Sequence, residues 1–529
     1  METNLVVGYI SKTKHNFICY KQNQIITLNL VNLRLLNSNA AMKSKIHEYQ
    51  KNSFLTMSNK YLISSLLLFL LAIPLGCSDM DDHPVPDSLE IKDFVWKGMN
   101  LYYLWQADVP DLADNRFANQ GELNTFLEPF ASPADLFNHL RTDAVTDRFS
   151  VIFSDYSVLE GELSGNTLNN GMDFGLKHVN GTTDVFGWVR YIIPNSDAAT
   201  KDIHRGDVFY AVNGIPLTDD NFRTLLFSND ETYTVNLADY SSDVNGFVTI
   251  TPNGQSVTLT KTNLAENPIL FNTVIHQGTH NIGYLMYNGF YANYDTQLNA
   301  AFGSLLSQNV TDLVLDLRYN SGGSIATATK LASMITGQFN GQLFAKQQWN
   351  AKAQSYFESN NPSSLENRFV SGLNSLNLTK VYILTTKGTA SASELVVNCL
   401  KPYINVVQIG DITTGKNVGS ITLYDSPTFG KSNVNPNHKY AMQPIVLKIV
   451  NKNNFGDYTA GIPPTTLLPE KLNNLGILGQ TDEPLLSAAI NQITASGKQA
   501  PQVPSYIQRD FTDAKLLNPL RSEMYLENK

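Results

Sequence analysis

Three short stretches hold the residues best suited to chemistry. The first, Gly388-Thr389-Ala390-Ser391-Ala392-Ser393-Glu394, follows an apolar run and leads into a helix-forming one. Small side chains at a strand-to-helix turn let a nucleophile come close to a substrate backbone. The first N–H groups of a helix lack helical acceptors, so they can stabilise an oxyanion beside Ser391. The same residues also spell a helix cap, with Ser391 at the N-cap and Glu394 as its capping-box partner. On this motif alone the cap is the simpler reading. The second stretch is Gly415-Lys416, which follows Val406-Val407-Gln408-Ile409-Gly410 and lies 25 residues beyond Ser391. The third is Asp316-Leu317-Arg318-Tyr319-Asn320-Ser321-Gly322-Gly323, whose paired glycines are, by themselves, an ordinary turn.

These stretches need a scaffold, and the surrounding pattern supplies one. Ile282-Gly283-Tyr284-Leu285-Met286-Tyr287-Asn288 reads as a strand, followed by a helix near 298–306. A strand at 313–318 runs into the Gly322-Gly323 turn and a helix near 325–335. After a polar stretch at 337–378, read as an irregular insertion, a strand at 381–384 enters the Ser391 turn. Repeated strand–turn–helix units of this kind argue for a layered α/β domain.

Upstream, residues 165–262 change to short strands separated by Gly, Asn and Asp. Gly171-Met172-Asp173-Phe174-Gly175-Leu176 opens this part, and Ile203-His204-Arg205-Gly206-Asp207-Val208 leads to Val212-Asn213-Gly214. The order resembles a PDZ domain. In such a domain the 171–176 loop would hold a peptide carboxylate on backbone N–H groups while the peptide adds a strand to the sheet edge. Any small β domain with an Asn-Gly hairpin would look similar. Before it, residues 88–140 are helical in pattern. Phe94, Val95, Met99, Tyr102 and Tyr103 form a core stripe, and Ser132-Pro133-Ala134-Asp135 carries an N-cap signal. Asp147-Arg148-Phe149-Ser150 closes the region.

Taken together, Asp147-Arg148-Phe149-Ser150, the Gly322-Gly323 turn, Ser391, Lys416 and Gly461-Ile462-Pro463-Pro464 resemble the C-terminal processing (tail-specific) serine peptidases over about residues 88–490. The resemblance implies an α/β multidomain protein: a ClpP/crotonase-like layered core, an embedded PDZ-like β domain and an N-terminal helical region. It implies Ser391 as nucleophile and Lys416 as its general base. The N–H groups of Gly323 and Ala392 would form the oxyanion hole, with Gly322 supporting the turn. Family members often carry Gln four residues after the lysine, where this chain has Ser420. Asp316 and Arg318 read as structural. No metal or organic cofactor is implied. Lys416 must be neutral to take the Ser391 proton, so burial must lower its pKa. No histidine lies near either motif, and a Ser-His-Asp triad stays open only through folding.

The rest of the sequence bears on location and partners. An uncharged, mostly apolar run at 61–73 has the length of a signal-peptide core and is short for a membrane span. Pro74-Leu75-Gly76-Cys77 follows and resembles a lipoprotein cleavage site, with Pro74 where Leu is usual; Cys77 would be lipidated. The expected parts are an upstream extension at 1–56, which suggests a start at Met57, a lipoprotein signal at 57–76 and a tether at 77–87. There follow a helical domain at 88–163, the PDZ-like domain at 164–263, the peptidase core at 264–495 and a tail at 496–529. The protein would sit in the cell envelope, lipid-anchored to the outer membrane on its periplasmic or surface face.

Charge narrows the partners further. The net charge is −9, and residues 1–76 hold 8 basic and 2 acidic side chains, so the remainder carries 30 basic against 45 acidic. That surplus repels phosphate backbones and argues against nucleic acid. Cys19, Cys77 and Cys399 are the only cysteines, too few for a disulfide framework or a multi-cysteine zinc site. His276 and His280 read as surface residues on either side of a Gly-containing turn. The leading expectation is an exported serine endopeptidase acting on proteins or peptides with free C-termini. The alternatives are a PDZ-containing peptide-binding protein on an inactive core, or a small-ligand carrier on the same core.

Overall fold

A computed structural model describes residues 84–228, 230–494, 512–517 and 523–527. The extension at 1–56, the signal at 57–76, Cys77 and the first part of the tether lie outside those residues. The chain divides into two compact units. The one considered below holds Val85–Phe117 and the described residues from Gly121 onward. Among the described residues the other contributes only 84 and 118–120.

The catalytic candidates hang from a six-stranded sheet. Its order is Ile269–Gln277, His280–Tyr287, Asp312–Asp316, Lys380–Thr385, Asn405–Gly410 and Thr466–Leu467. The first two strands form an antiparallel hairpin, and every later neighbour is parallel. Parallel strands need crossovers, and the helices Asp295–Ser307, Ile325–Thr336 and Ala392–Leu400 lie in them. Leu313, Val314 and Leu315 are all fully buried, as expected of a strand covered on both faces. Helix Pro484–Thr494 covers one face, setting Leu485, Leu486 and Ala489 in one core with Tyr284, Val314 and Leu384. The loops at the carboxyl ends of the strands then carry Asn320–Gly323, Ser391 and Lys416.

A second six-stranded sheet runs Gly323–Ser324, Met524–Leu526, Val418–Ile421, Ile445–Asn451, Leu343–Trp349 and Glu366–Arg368. It corrects two expectations. The stretch 337–378 is no irregular insertion. It supplies two strands of this sheet and the helix Ala351–Asn360, and its main partner is about a hundred residues away, with Ala345 opposite Asn451. Nor is the segment after 495 merely an appended tail. Met524–Leu526 lies inside the sheet, parallel to both neighbours.

Residues 172–260 build an antiparallel sheet from Met172–His178, Val185–Ile192, Val208–Val212, Thr232–Ser242 and Val248–Thr260. Asn213 and Gly214 both take positive φ (52° and 79°), as a tight two-residue hairpin turn requires. The expected loop at 171–176 is, from Met172 on, a strand. Phe174 and Leu176 bury their side chains with Val189 and Phe209, which holds the segment extended. In the N-terminal region helix Glu90–Tyr102 buries Phe94, Val95, Met99 and Tyr102. The Ser132 hydroxyl caps helix Pro133–His139 by accepting from the Asp135 N–H at 3.1 Å.

Candidate active site

Ser391 stands between the end of strand Lys380–Thr385 and helix Ala392–Leu400, with φ 60° and ψ −116°. A side-chain-bearing residue rarely adopts this backbone, and it persists only where its surroundings enforce it. The enforcing contacts come from the neighbouring turn. Thr389 Oγ1 donates to the Leu317 carbonyl at 2.8 Å, and the Ala390 N–H to the Asn320 carbonyl at 3.1 Å. Ser393 Oγ donates to the same Asn320 oxygen at 2.9 Å. Sharp strand-to-helix turns of this type present a nucleophile at the end of a sheet.

Gly322 and Gly323 complete the facing wall, with φ of 120° and 135°. A methyl group added at Gly322 would come within 2.6 Å of both the Ser391 Cβ and the Glu523 carbonyl oxygen. Hydroxyl and carbonyl thus flank one glycine, and only glycine leaves room. The Gly323 N–H donates to that Glu523 oxygen at 2.5 Å. Ala392 is the first residue of its helix, so its N–H has no helical acceptor.

Glu394 joins the two halves of the site. Its buried carboxylate accepts from the Ser391 N–H at 2.8 Å and the Lys416 N–H at 2.8 Å on one oxygen. On the other it accepts from Thr413 Oγ1 at 2.5 Å and the Gly415 N–H at 2.7 Å. Burial pushes this carboxyl up, and the four donors oppose that shift. The sequence suggested Glu394 only as a cap. It does cap Ser391, but the Ser391 hydroxyl is left without any hydrogen-bond partner among the described residues. No described histidine bonds that hydroxyl either.

Lys416 is fully buried. Its Nζ lies 4.4 Å from the centre of the Phe149 ring and 3.2 Å from Glu523 Oε2, and it makes no hydrogen bond of normal geometry. Burial lowers the ammonium's pKa, while the Glu523 carboxylate pulls it back up. Burial in turn raises the Glu523 carboxyl, against the pull of Lys416. Around this pair, Arg148 donates to the Gly415 carbonyl at 3.2 Å, and the buried Asp147 accepts from Tyr103 at 2.8 Å. Ser420 Oγ does not touch Lys416. It lies 2.5 Å from Gln443 Oε1 and 2.7 Å from Glu523 Oε2. One hydroxyl proton cannot serve both; with the Gln443 amide turned to donate, Ser420 accepts from Gln443 and donates to the Glu523 carboxylate. Gln443, on the next strand but one in sequence, supplies beside Ser420 an amide that position 420 itself lacks. Sequence reasoning missed Gln443 and Glu523, and no local pattern marks either.

The remaining candidates lie elsewhere. Asp316 and Arg318 form a buried ion cluster with Glu483 and Glu470 beneath the turn. At the sheet edge, the Gly171 N–H is taken by Asn169 Oδ1 at 2.5 Å and the Met172 N–H by Asn170 Oδ1 at 3.1 Å. Those two donors are therefore not open to a carboxylate, contrary to the loop reading. Asp173 and Phe174 pair inward with Tyr191 and Val189, while Gly175 and Leu176 pair antiparallel with Asp513 and Thr512. His276 and His280 sit on opposite strands of a hairpin, bonded to Asn281 at 2.9 Å and Asp312 at 2.7 Å. Leu526 and Glu527 border a cavity of about 600 Å³ walled by Tyr102, Trp349, Phe357 and Phe429.

Comparison with known proteins gives a consistent picture. Residues 281–430 match the model of peptidase family S41, and residues 90–151 match that of the peptidase S41 N-terminal domain. A protein of Staphylococcus epidermidis named as a CtpA-like serine protease is 27% identical over 150 residues, 28% of each chain. The chloroplastic C-terminal processing peptidase of Tetradesmus obliquus is 26% identical over 174 residues, 31% of this chain and 34% of the relative. The matches thus span about a third or less of these relatives. A crystal structure described as an S41 protease from Bacteroides fragilis is 27% identical with a TM-score of 0.57, covering 76% of this chain and 97% of that one. The two model matches, the curated relatives and the solved neighbour agree on peptidase family S41 and support a serine-type peptidase.

Proposed function

We propose that the chain is an exported, lipid-anchored serine endopeptidase that cuts proteins or peptides with recognition of their C-termini, through a Ser391–Lys416 dyad. One observation carries this reading: the Gly323 N–H donates to a peptide carbonyl that flanks Gly322 together with the Ser391 side chain. In the proposed reaction Ser391 Oγ attacks the scissile carbonyl and its proton passes to neutral Lys416. The oxyanion is held by the N–H groups of Gly323 and Ala392. Lys416 then returns the proton to the leaving amine, and water hydrolyses the acyl-enzyme by the same route. Glu394 is a positioning residue, since it fixes the backbone of both partners. Burial of Lys416 supplies the lowered pKa that a lysine base requires.

Capture of the substrate follows the PDZ-like reading in modified form. The edge strand Met172–His178 accepts an added strand, and that addition rather than the Gly171 and Met172 N–H groups would hold the peptide. The lipoprotein-like signal and Cys77 support export. The test is hydrolysis of a peptide in free-acid and C-terminally amidated forms by wild type and Lys416→Arg. The free acid should be cut faster, and Lys416→Arg should be inactive because a guanidinium stays protonated. Appreciable turnover by a folded Lys416→Arg chain would refute the lysine base, and equal cleavage of both peptides would refute C-terminal recognition.

A further inference from the structure

The oxyanion donor is met by a later stretch of the same chain, which is anchored at three places among its described residues. Thr512–Asp513 adds a strand to the edge of Met172–His178. Lys515 buries its ammonium, donating to the carbonyls of Asn288 at 2.9 Å and Tyr319 at 3.2 Å and lying 3.6 Å from Glu266. Met524–Leu526 then fills the slot between Gly323–Ser324 and Val418–Ile421, while Ser324 Oγ bonds the Glu527 carboxylate and Tyr525 donates to the Leu163 carbonyl at 3.1 Å. These two stretches thus cover both surfaces on which a peptide substrate would lie.

From these contacts, and resting on the peptidase reading above, we propose that the stretches 512–517 and 523–527 act together as a built-in inhibitor that occupies the substrate path and disables the dyad. The disabling group is Glu523. Its carbonyl takes the Gly323 N–H, and its carboxylate sits 3.2 Å from Lys416 Nζ. A carboxylate there favours the ammonium, which cannot accept the Ser391 proton. A side chain that quenches the base marks the tail as an inhibitor rather than a substrate. Its covalent link to the core keeps its effective concentration high, so a free peptide competes only when the tail lifts. The occupant that releases it would be a peptide with a free edge to pair with Met172–His178, the strand that Thr512–Asp513 now covers.

The test compares full-length wild type, Glu523→Ala and Lys515→Ala on an internally quenched peptide, with fluorophosphonate labelling of Ser391 as a readout independent of substrate. Both variants should raise kcat/KM and labelling rate about tenfold or more, as expected when the competent state is a minor fraction of wild type. A synthetic peptide of residues 509–529 should inhibit Glu523→Ala competitively. Unchanged or lower values in a Glu523→Ala chain that melts like wild type would overturn the proposal. So would mass spectrometry showing that wild type trims itself after Glu523, since the tail would then be substrate. Ser391→Ala in the Glu523→Ala background separates the two claims. Ser391-dependent hydrolysis without a gain over wild type removes only the inhibitor, whereas hydrolysis surviving Ser391→Ala removes the peptidase reading as well.

Discussion

Arg318 and Lys416 are both buried cations at the ends of strands in one core, and their surroundings differ in kind. Arg318 Nε reaches both Asp316 oxygens at 3.0 Å, and its terminal nitrogens meet Glu483 at 2.7 and 2.9 Å and Glu470 at 3.1 Å. Lys416 has one carboxylate within ion-pair distance, an aromatic ring and no well-formed hydrogen bond, and the Ser391 hydroxyl also goes unpaired. A fully partnered buried charge fixes structure, because every donor is compensated and moving any part costs several bonds. An under-partnered one is held in place by its backbone and stays ready to exchange a proton. The difference separates the residues that build the turn from those that use it.

Breaking the two clusters should therefore give opposite signatures. Ser391→Ala should lower kcat/KM by about 10⁴-fold or more with no loss of folding, measured by peptide hydrolysis and thermal melting. Retention of a tenth of the activity would place the nucleophile elsewhere. Arg318→Ala should do the reverse, destabilising the protein by about 3–5 kcal/mol in urea titration because it strands buried carboxylates. A change under about 1 kcal/mol would mean that the cluster is not structural.

Between these extremes lies Glu394, which serves both roles. Glu394→Gln turns one acceptor oxygen into an amide donor facing two donors, so two of its four bonds are lost. Each costs about 1–3 kcal/mol. The variant should lower kcat by about tenfold to a hundredfold with little change in KM. A KM effect alone would show that Glu394 shapes binding rather than the dyad.

The smallest effect is a shift in the pH profile. In the proposed mechanism Lys416 acts as a base only when neutral, so activity should fall as pH drops through its lowered pKa and recover as pH rises. The charged groups around it are Glu523, Asp147 and Arg148. Removing the Glu523 carboxylate removes the strongest pull towards the ammonium, so the acidic limb of Glu523→Gln should move to lower pH. A limb that moves to higher pH would contradict the pairing seen in the structure.

The sequence disclosed the local parts of this arrangement and not the long-range ones. Ser132 before Pro133, the apolar runs at 313–315 and 381–384, and the Asn213-Gly214 turn carry their structure in a few consecutive residues. Ser391, Lys416 and the Gly322-Gly323 turn stood out only jointly, through their order, their spacing and the resemblance to the C-terminal processing peptidases; Ser391 alone read as a cap and the glycines as an ordinary turn. Glu523 and Gln443 left no such mark. Glu523 reaches Ser420 across 103 residues and Gln443 across 23, through strand pairings that no periodicity encodes. The strand Leu343–Trp349 was hidden for the same reason, since its partner Ile445–Asn451 lies far along the chain and its short apolar start gives way to Lys346-Gln347-Gln348. Glu394 was visible but under-read: its spacing announces a cap, while its link to Gly415 and Lys416 depends on tertiary folding.

The central claim, that Ser391 is a nucleophile activated by Lys416, is tested most directly by mapping fluorophosphonate adducts by peptide mass spectrometry. Wild type, Glu523→Ala and Glu523→Ala combined with Lys416→Arg would be compared. The account predicts one adduct, on Ser391, forming fastest in Glu523→Ala and lost when Lys416 becomes Arg. An adduct on another residue, or labelling of Ser391 that is indifferent to Lys416→Arg, would contradict it.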